Sequence, residues 1–365
     1  MATSVLLLAG LLGACGSTSS APSPSVPPTS APRGPEGSGE AVTIAFGGDA
    51  SFEGLADLVE SDPESVLADV GPLLRGADLA VVNLEAVLGE AGEPVPKAFN
   101  FRVPAAAVDS LRAAGVDVVS MANNHGLDYG RDGLAESLRI EQETGFPLIG
   151  VGQDLDEAYA PFTTEVRGQR IGVLAASDVI DAELRSSWIA TDQQAGLASA
   201  EESEQALLED RVRQLRGEVD TLVVYLHYGV ERETCPNERQ RELVEAMIEA
   251  GADIVVGTHA HRLQGHGFLG DRYVAYGLGN FVFSAGSEGG RASGVLTVTA
   301  TGRRIDGAEW TPAVIVDGRP EPLSGDAADN ALAEQDELRE CAGLSATPGD
   351  IDTPSESGGG SGGEP

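Results

Sequence analysis

The chain has 365 residues, enough for one large domain or two modest ones, and its 41% apolar content is that of an ordinary globular protein. Its formal charge of −35, from 58 acidic residues against 23 Lys and Arg, is not ordinary, and Lys97 is the single lysine. Such a surface repels nucleic acid and anionic lipid, which excludes a nucleic-acid binder, and no DxDxDG loop offers a calcium site to account for the acidity.

In chain order, "SVLLLAGLLGAC" reads as a targeting segment over 1–15, apolar and ending in small residues, and too short to stay in a bilayer as a spanning helix. It resembles a bacterial lipoprotein lipobox, which implies lipidation at Cys15 and a place on the outer face of the cell membrane, or secretion otherwise. Residues 16–40 form a Pro/Ser/Gly tether with nothing to bury. Ordered chain is expected over 41–320. Aliphatic strands are expected at 41–47, 78–83, 116–120, 170–175, 220–226, 253–257, 272–276 and 294–300, interleaved with amphipathic helices near 63–75, 104–114, 131–143, 201–216 and 237–250. That alternation predicts an α/β fold with substantial parallel sheet. A hairpin around "RGQR" and the β-rich stretch 272–316 make the sheets mixed. Residues 321–365 read as an acidic tail ending in Gly/Ser-rich chain. Cys235 and Cys341 are either a disulfide joining tail to body or two thiols.

The residues that close the aliphatic runs carry the chemistry. "VTIAFGG" leads to Asp49, "ADLAVVNL" to Glu85, "VDVVSMANN" to His125, "DTLVVYL" to His227, "ADIVVGT" to His259 with His261 two residues on, and "RYVAYGLG" to Asn280. Open α/β sheets bind ligands beyond the carboxyl ends of their strands. Six such ends therefore converge on one expected site, and four of the five histidines are in it. Asn123 reads as a turn or site residue, while His266, five residues past His261, is near the site in sequence but reads as structural rather than as a direct participant. A mixed Asp, Glu, Asn and His set suits Mn²⁺, Fe or Zn²⁺ better than Ca²⁺ or Mg²⁺, and the spacing of "THAH" lets both imidazoles face one ion. Within 41–320 there is no G-x-S-x-G elbow, and the chain has no Walker loop.

With these residues in place, the chain resembles the CapA family of poly-γ-glutamate capsule biosynthesis proteins, similar in turn to calcineurin-like metallophosphoesterases. The blocks that carry the resemblance are "FGGDASF", "NLEAVL", "FNFRVP", "MANNHGLDYGRDGL", "GVGQDLDEAYAP", "LHYGVE", "AGADIVVGTHAHRLQG" and "YGLGNFVF", in family order from about 43 to 284. The resemblance implies a four-layer αββα sandwich with its site at the rim. It also implies a metal set of Asp49, Glu85, Asn124, His227, His259 and His261, with Glu85 as bridge. His125 is then the acid/base, Asp128 and Glu231 orient these groups, and Asn123 and Asn280 stand behind them or against substrate. Two departures bear on metal number: "GDAS" lacks the usual Asp-x-His, and Glu85 stands where an aspartate is usual. One or two divalent ions are expected.

Two functions follow. One is an exported, lipid-anchored, metal-dependent phosphoesterase-like hydrolase of capsule or surface-polymer biosynthesis, acting on a phosphoester or a cell-wall or capsule polymer. The other is a non-hydrolytic factor that binds the polymer for assembly or export. A polyanionic ligand would need local positive charge, from bound metal or from Arg102, Arg131 or Arg262 nearby in sequence.

Overall fold

A computed structural model describes residues 37–349. Cys15, the tether up to residue 36 and the Gly/Ser-rich end lie outside the described residues.

The first sheet opens with β1 (Val42–Ala50), β2 (Leu79–Leu84), β3 (Val118–Ser120) and β4 (Leu148–Ile149), consecutive and parallel. The second contains the hairpin β5 (Phe162–Val166) and β6 (Gln169–Ser177), then β7 (Thr221–Tyr228), β8 (Ile254–His259), β9 (His266–Leu269) and β10 (Arg272–Ala275). The chain then returns to the first sheet as β11 (Asn280–Val282), β12 (Ala292–Thr301), β13 (Arg304–Val316) and β14 (Arg319–Pro322). The first sheet runs β14-β13-β12-β1-β2-β3-β4, with β11 beside the end of β1; the second runs β9-β10-β8-β7-β6-β5. Both are mixed, as expected. The "RGQR" hairpin turns through Arg167 and Gly168, both at positive φ, as a two-residue hairpin requires.

Side-chain alternation builds the layers. Val42, Ile44 and Phe46 of β1 point inward to meet Val173, Val223, Tyr225 and Val256 of the second sheet. Ala45, Ala80, Val82 and Val119 point outward, against α2 (Ala107–Ala114) and α3 (Gly130–Thr144), which follow α1 (Gly71–Gly76). On the far side Leu174, Leu222, Val224 and Val255 pack under α4 (Gln205–Arg216) and α5 (Glu238–Ala250). The result is the expected αββα sandwich. Strands buried on both faces read as continuous aliphatic runs, which is why their positions were plain in the sequence.

Two local expectations are corrected. The helix expected over 63–75 is broken: a 3-10 turn at Pro63–Ser65 is separated from α1, because Gly71 and Pro72 sit mid-run and a proline without an N–H starts a helix better than it continues one. Part of the acidic stretch after 321, expected as tail, is α6 (Asp326–Ala342), rich in Ala, Glu and Leu and closed by Gly343 at φ +72°. It buries only Gln335 and Ala342 of its own side chains. A Cys235–Cys341 disulfide, Arg241 donating to Cys341 O and Ala342 O, and Arg339 donating to His266 O hold it in place.

Candidate metal centre

The site forms where the carboxyl ends of β1, β2, β7 and β8 meet. Gly48 allows this closure: a Cβ there would lie 2.0 Å from Gly279 O, and the close approach lets Asp49 N–H donate to Gly279 O and places Asp49 in register with Asn280. Parallel pairing sets Asp49 beside Asn83, whose Nδ2 donates to Asp49 Oδ1 at 2.9 Å. Asn83 Oδ1 accepts from Asn123 Nδ2 at 3.0 Å, and Asn123 Oδ1 accepts the His125 N–H at 2.9 Å. A chain of amides thus ties three strand ends together.

Glu85 stands at the middle. Its carboxylate is fully buried, and neither oxygen has a hydrogen-bond partner. Oε1 lies 3.6 Å from His227 Nε2, 3.8 Å from His261 Nε2 and 3.9 Å from His125 Nε2. These separations are too long for hydrogen bonds. The His227 and His261 separations suit donors that share a cation, since two atoms each about 2.0–2.2 Å from one ion stand roughly 3–4 Å apart. Ligand atoms of Glu85, His259 and His261 all lie within 4.8 Å of one another. Asp49 adds Oδ2, 3.3 Å from His261 Nδ1, and Asn124 adds Oδ1, 2.7 Å from His227 Nε2. His259 and His261 are at φ +89° and +51°. Non-glycine residues hold such conformations only where the surrounding structure requires them, and such residues cluster at functional sites. The donor set therefore fits a divalent metal.

The electrostatics agree with this. Burial first, and then Asp49, push the Glu85 carboxyl well above the ordinary carboxylate range. Burial opposes a charge on His261, but Glu85 and Asp49 carry it up to about 10, so the Glu85–His261 pair retains a proton. Burial and the neighbouring His261 push His259 down to about 3, and burial takes His227 well down too. These two imidazoles keep free lone pairs for a cation at neutral pH.

His125 belongs to a second unit beside the carboxylate. Its Nδ1 lies 2.6 Å from Asp128 Oδ2, which also accepts the Phe101 N–H at 2.6 Å. Asp128 Oδ1 accepts from Lys97 Nζ at 2.9 Å, and the same ammonium donates to Asn124 O. His125 is thereby held with Nε2 toward Glu85.

Most expected site residues come together: Asp49, Glu85, Asn123, Asn124, His125, Asp128, His227, His259, His261 and Asn280, the last with Oδ1 2.8 Å from His261 Nδ1. Glu231 does not join them; its side chain is exposed on the turn after β7. His266 points into the inter-sheet core, 2.8 Å from Tyr273 OH and beside Trp310. Of the three arginines, Arg262 touches the site by donating to His261 O, while Arg102 and Arg131 bond elsewhere. Asn83 and Lys97 went unassigned as site residues. A lone lysine in a chain of charge −35 was the available signal for one, and "NLE" within the "NLEAVL" block for the other.

The model of the bacterial capsule synthesis protein PGA_cap family matches residues 43–285. The capsule biosynthesis protein CapA of Bacillus anthracis is 30% identical over 71% of this chain, which spans 63% of that relative's length. The PGA biosynthesis protein CapA of Bacillus subtilis is 28% identical over 79% of this chain and 76% of its own length. Among solved structures, a putative 5'-nucleotidase from Staphylococcus aureus in complex with alpha-ketoglutarate superposes over 81% of this chain and 58% of its own, at 14% identity and a TM-score of 0.48. The span matched by the family model contains every residue of the candidate metal site and of the His125–Asp128 unit, and the chain belongs to the bacterial capsule synthesis protein PGA_cap family.

Proposed function

We propose that this protein is an exported, lipid-anchored, metal-dependent hydrolase of capsule or surface-polymer synthesis, acting on a phosphoester or on a polymer such as poly-γ-glutamate. The observation that carries the reading is the buried Glu85 carboxylate, without hydrogen-bond partners and ringed by imidazole nitrogens at 3.6–3.9 Å. Asp49, Glu85, Asn124, His227, His259 and His261 would hold one or two ions of Mn, Fe or Zn. A divalent ion bound there supplies a Lewis acid for the phosphoryl or acyl oxygen and lowers the pKa of a water. The chain's own residues do the rest. Asp128 accepts the His125 Nδ1–H and fixes the tautomer, which leaves Nε2 a lone pair to take up the proton given off by the attacking water and pass it to the departing oxygen. Lys97 and the Phe101 N–H keep Asp128 oriented while it does so. The lipobox-like "LLGAC" supports an anchor at Cys15, and the Cys235–Cys341 bridge supports an oxidising compartment outside the cytoplasm.

The relatives' names describe biosynthesis, which favours a second reading: a factor that binds the polymer for assembly or export without cleaving it. One experiment separates the two. The purified protein is offered Mn²⁺, Fe²⁺ and Zn²⁺, its metal content is measured by mass spectrometry beside His259→Ala/His261→Ala, and turnover of a phosphoester panel is compared with His125→Ala. Retained metal with turnover lost in His125→Ala supports the hydrolase. Folded protein that holds no metal and turns over nothing moves the function to polymer binding.

A further inference from the structure

Among the described residues four large apolar side chains are exposed, and two of them flank the metal centre. Phe99, 67% exposed, stacks on Phe101 with ring centroids 6.5 Å apart and planes 22° apart. Phe101 lies over the His125 ring at 4.3 Å and meets Phe283 edge-on at 5.7 Å. Phe283 in turn lies 4.9 Å from the His261 ring. Val230, 49% exposed, is on the turn after β7, where Arg232 N–H donates to Ala260 O between His259 and His261.

The segment carrying Phe99 is anchored on both sides. Val95 N–H and Asn100 Nδ2 both donate to Asp128 O, Phe101 N–H donates to Asp128 Oδ2, and Lys97 bonds to Asp128 Oδ1. Phe99 is thus presented to water by the same residue, Asp128, that orients His125. Aromatic rings left in water at the edge of a polar site lose contact area that a stacked ring would restore. The protein's charge of −35 also disfavours recognition through added negative charge.

Resting on the phosphoester reading above, we infer that the substrate bears a planar, uncharged ring next to its phosphoryl group, and that this ring stacks on Phe99 as the phosphoryl group enters the metal centre. The ring's chemistry is aryl or heteroaryl; a purely hydrophilic polyanion would leave Phe99 and Val230 in water.

Calorimetric titration of the metal-loaded full chain with phenylphosphonate and with methylphosphonate tests this, since neither is cleaved. Phenylphosphonate is expected to bind about five- to tenfold more tightly, which is the scale of one stacked ring pair. Phe99→Ala should abolish that preference with metal content and thermal unfolding unchanged, and Phe99→Trp should retain it. Equal affinity for the two phosphonates, or a preference that survives Phe99→Ala, overturns the proposal while leaving the phosphoester reading standing. Binding of neither phosphonate to metal-loaded protein overturns both.

Discussion

Lys97 and His125 share one carboxylate: Asp128 receives the lysine ammonium at 2.9 Å on one oxygen and stands 2.6 Å from the imidazole on the other. The protein's single lysine is 9% exposed, and its charge, 3.4 Å from His125 Nδ1, also helps to lower the affinity of that imidazole for a proton, after burial as the larger cause.

Lys97→Met is therefore expected to do two things. Removing one partner leaves Asp128 a buried charge that only His125 and a backbone N–H satisfy, and the loss of stability should be about 3 kcal/mol in denaturant titration. The His125 titration followed by NMR in the metal-free protein should move upward. A His125 midpoint that stays in place would show that Lys97 only packs against Trp188.

Metal affinity should rise with pH. In the metal-free protein His261 keeps its proton up to about 10, burial opposing and Glu85 and Asp49 favouring it. Loading the site displaces that proton, so affinity measured against a chelator should increase by about tenfold per pH unit between roughly 6 and 8. Glu85→Gln removes the main support for the charge and should bring the His261 midpoint down. Affinity independent of pH would mean that His261 is not a ligand.

Acid stability is expected to depend on His266, which is buried beside Tyr273 and Trp310. Burial first, and then Arg339, push it down to about 3 from the ordinary 6.5. The folded value is the lower one, so the unfolded chain binds the extra proton. Its contribution is intact above about pH 6.5 and falls away as pH drops toward 3, at up to about 1.4 kcal/mol per pH unit. His227 and His259 lean the same way, so only part of the slope should vanish in His266→Gln. Urea midpoints at pH 7, 5 and 4 give the difference between the two profiles.

The disulfide joins residues 106 apart, and α6 has little buried surface of its own. Cys341→Ser should cost about 2–5 kcal/mol, by the general scale for native bridges that close long loops. The damage should appear first as proteolytic cleavage within 326–342, with metal content retained. Unchanged protease resistance would assign the anchoring of α6 to Arg241 and Arg339.

Runs of aliphatic residues and the polar residues that end them are local features, so the sequence by itself determined the strands, their mixed order and most of the residues that meet at the candidate site. Asp49, Glu85, His125, His227, His259 and His261 could be picked out because a charge or imidazole directly after a doubly buried strand has few structural reasons to be there. Tertiary structure decided what depends on pairing partners. Asn83 lies inside an aliphatic strand and matters only because parallel register sets it against Asp49. Lys97 comes from an irregular loop that Asp128 captures. Glu231 follows His227 by four residues yet is exposed to solvent, past the end of β7 and past Gly229 at φ +102°. The acidic residues of α6 looked like tail because their helix is held by a cross-link and two arginines rather than by an apolar face.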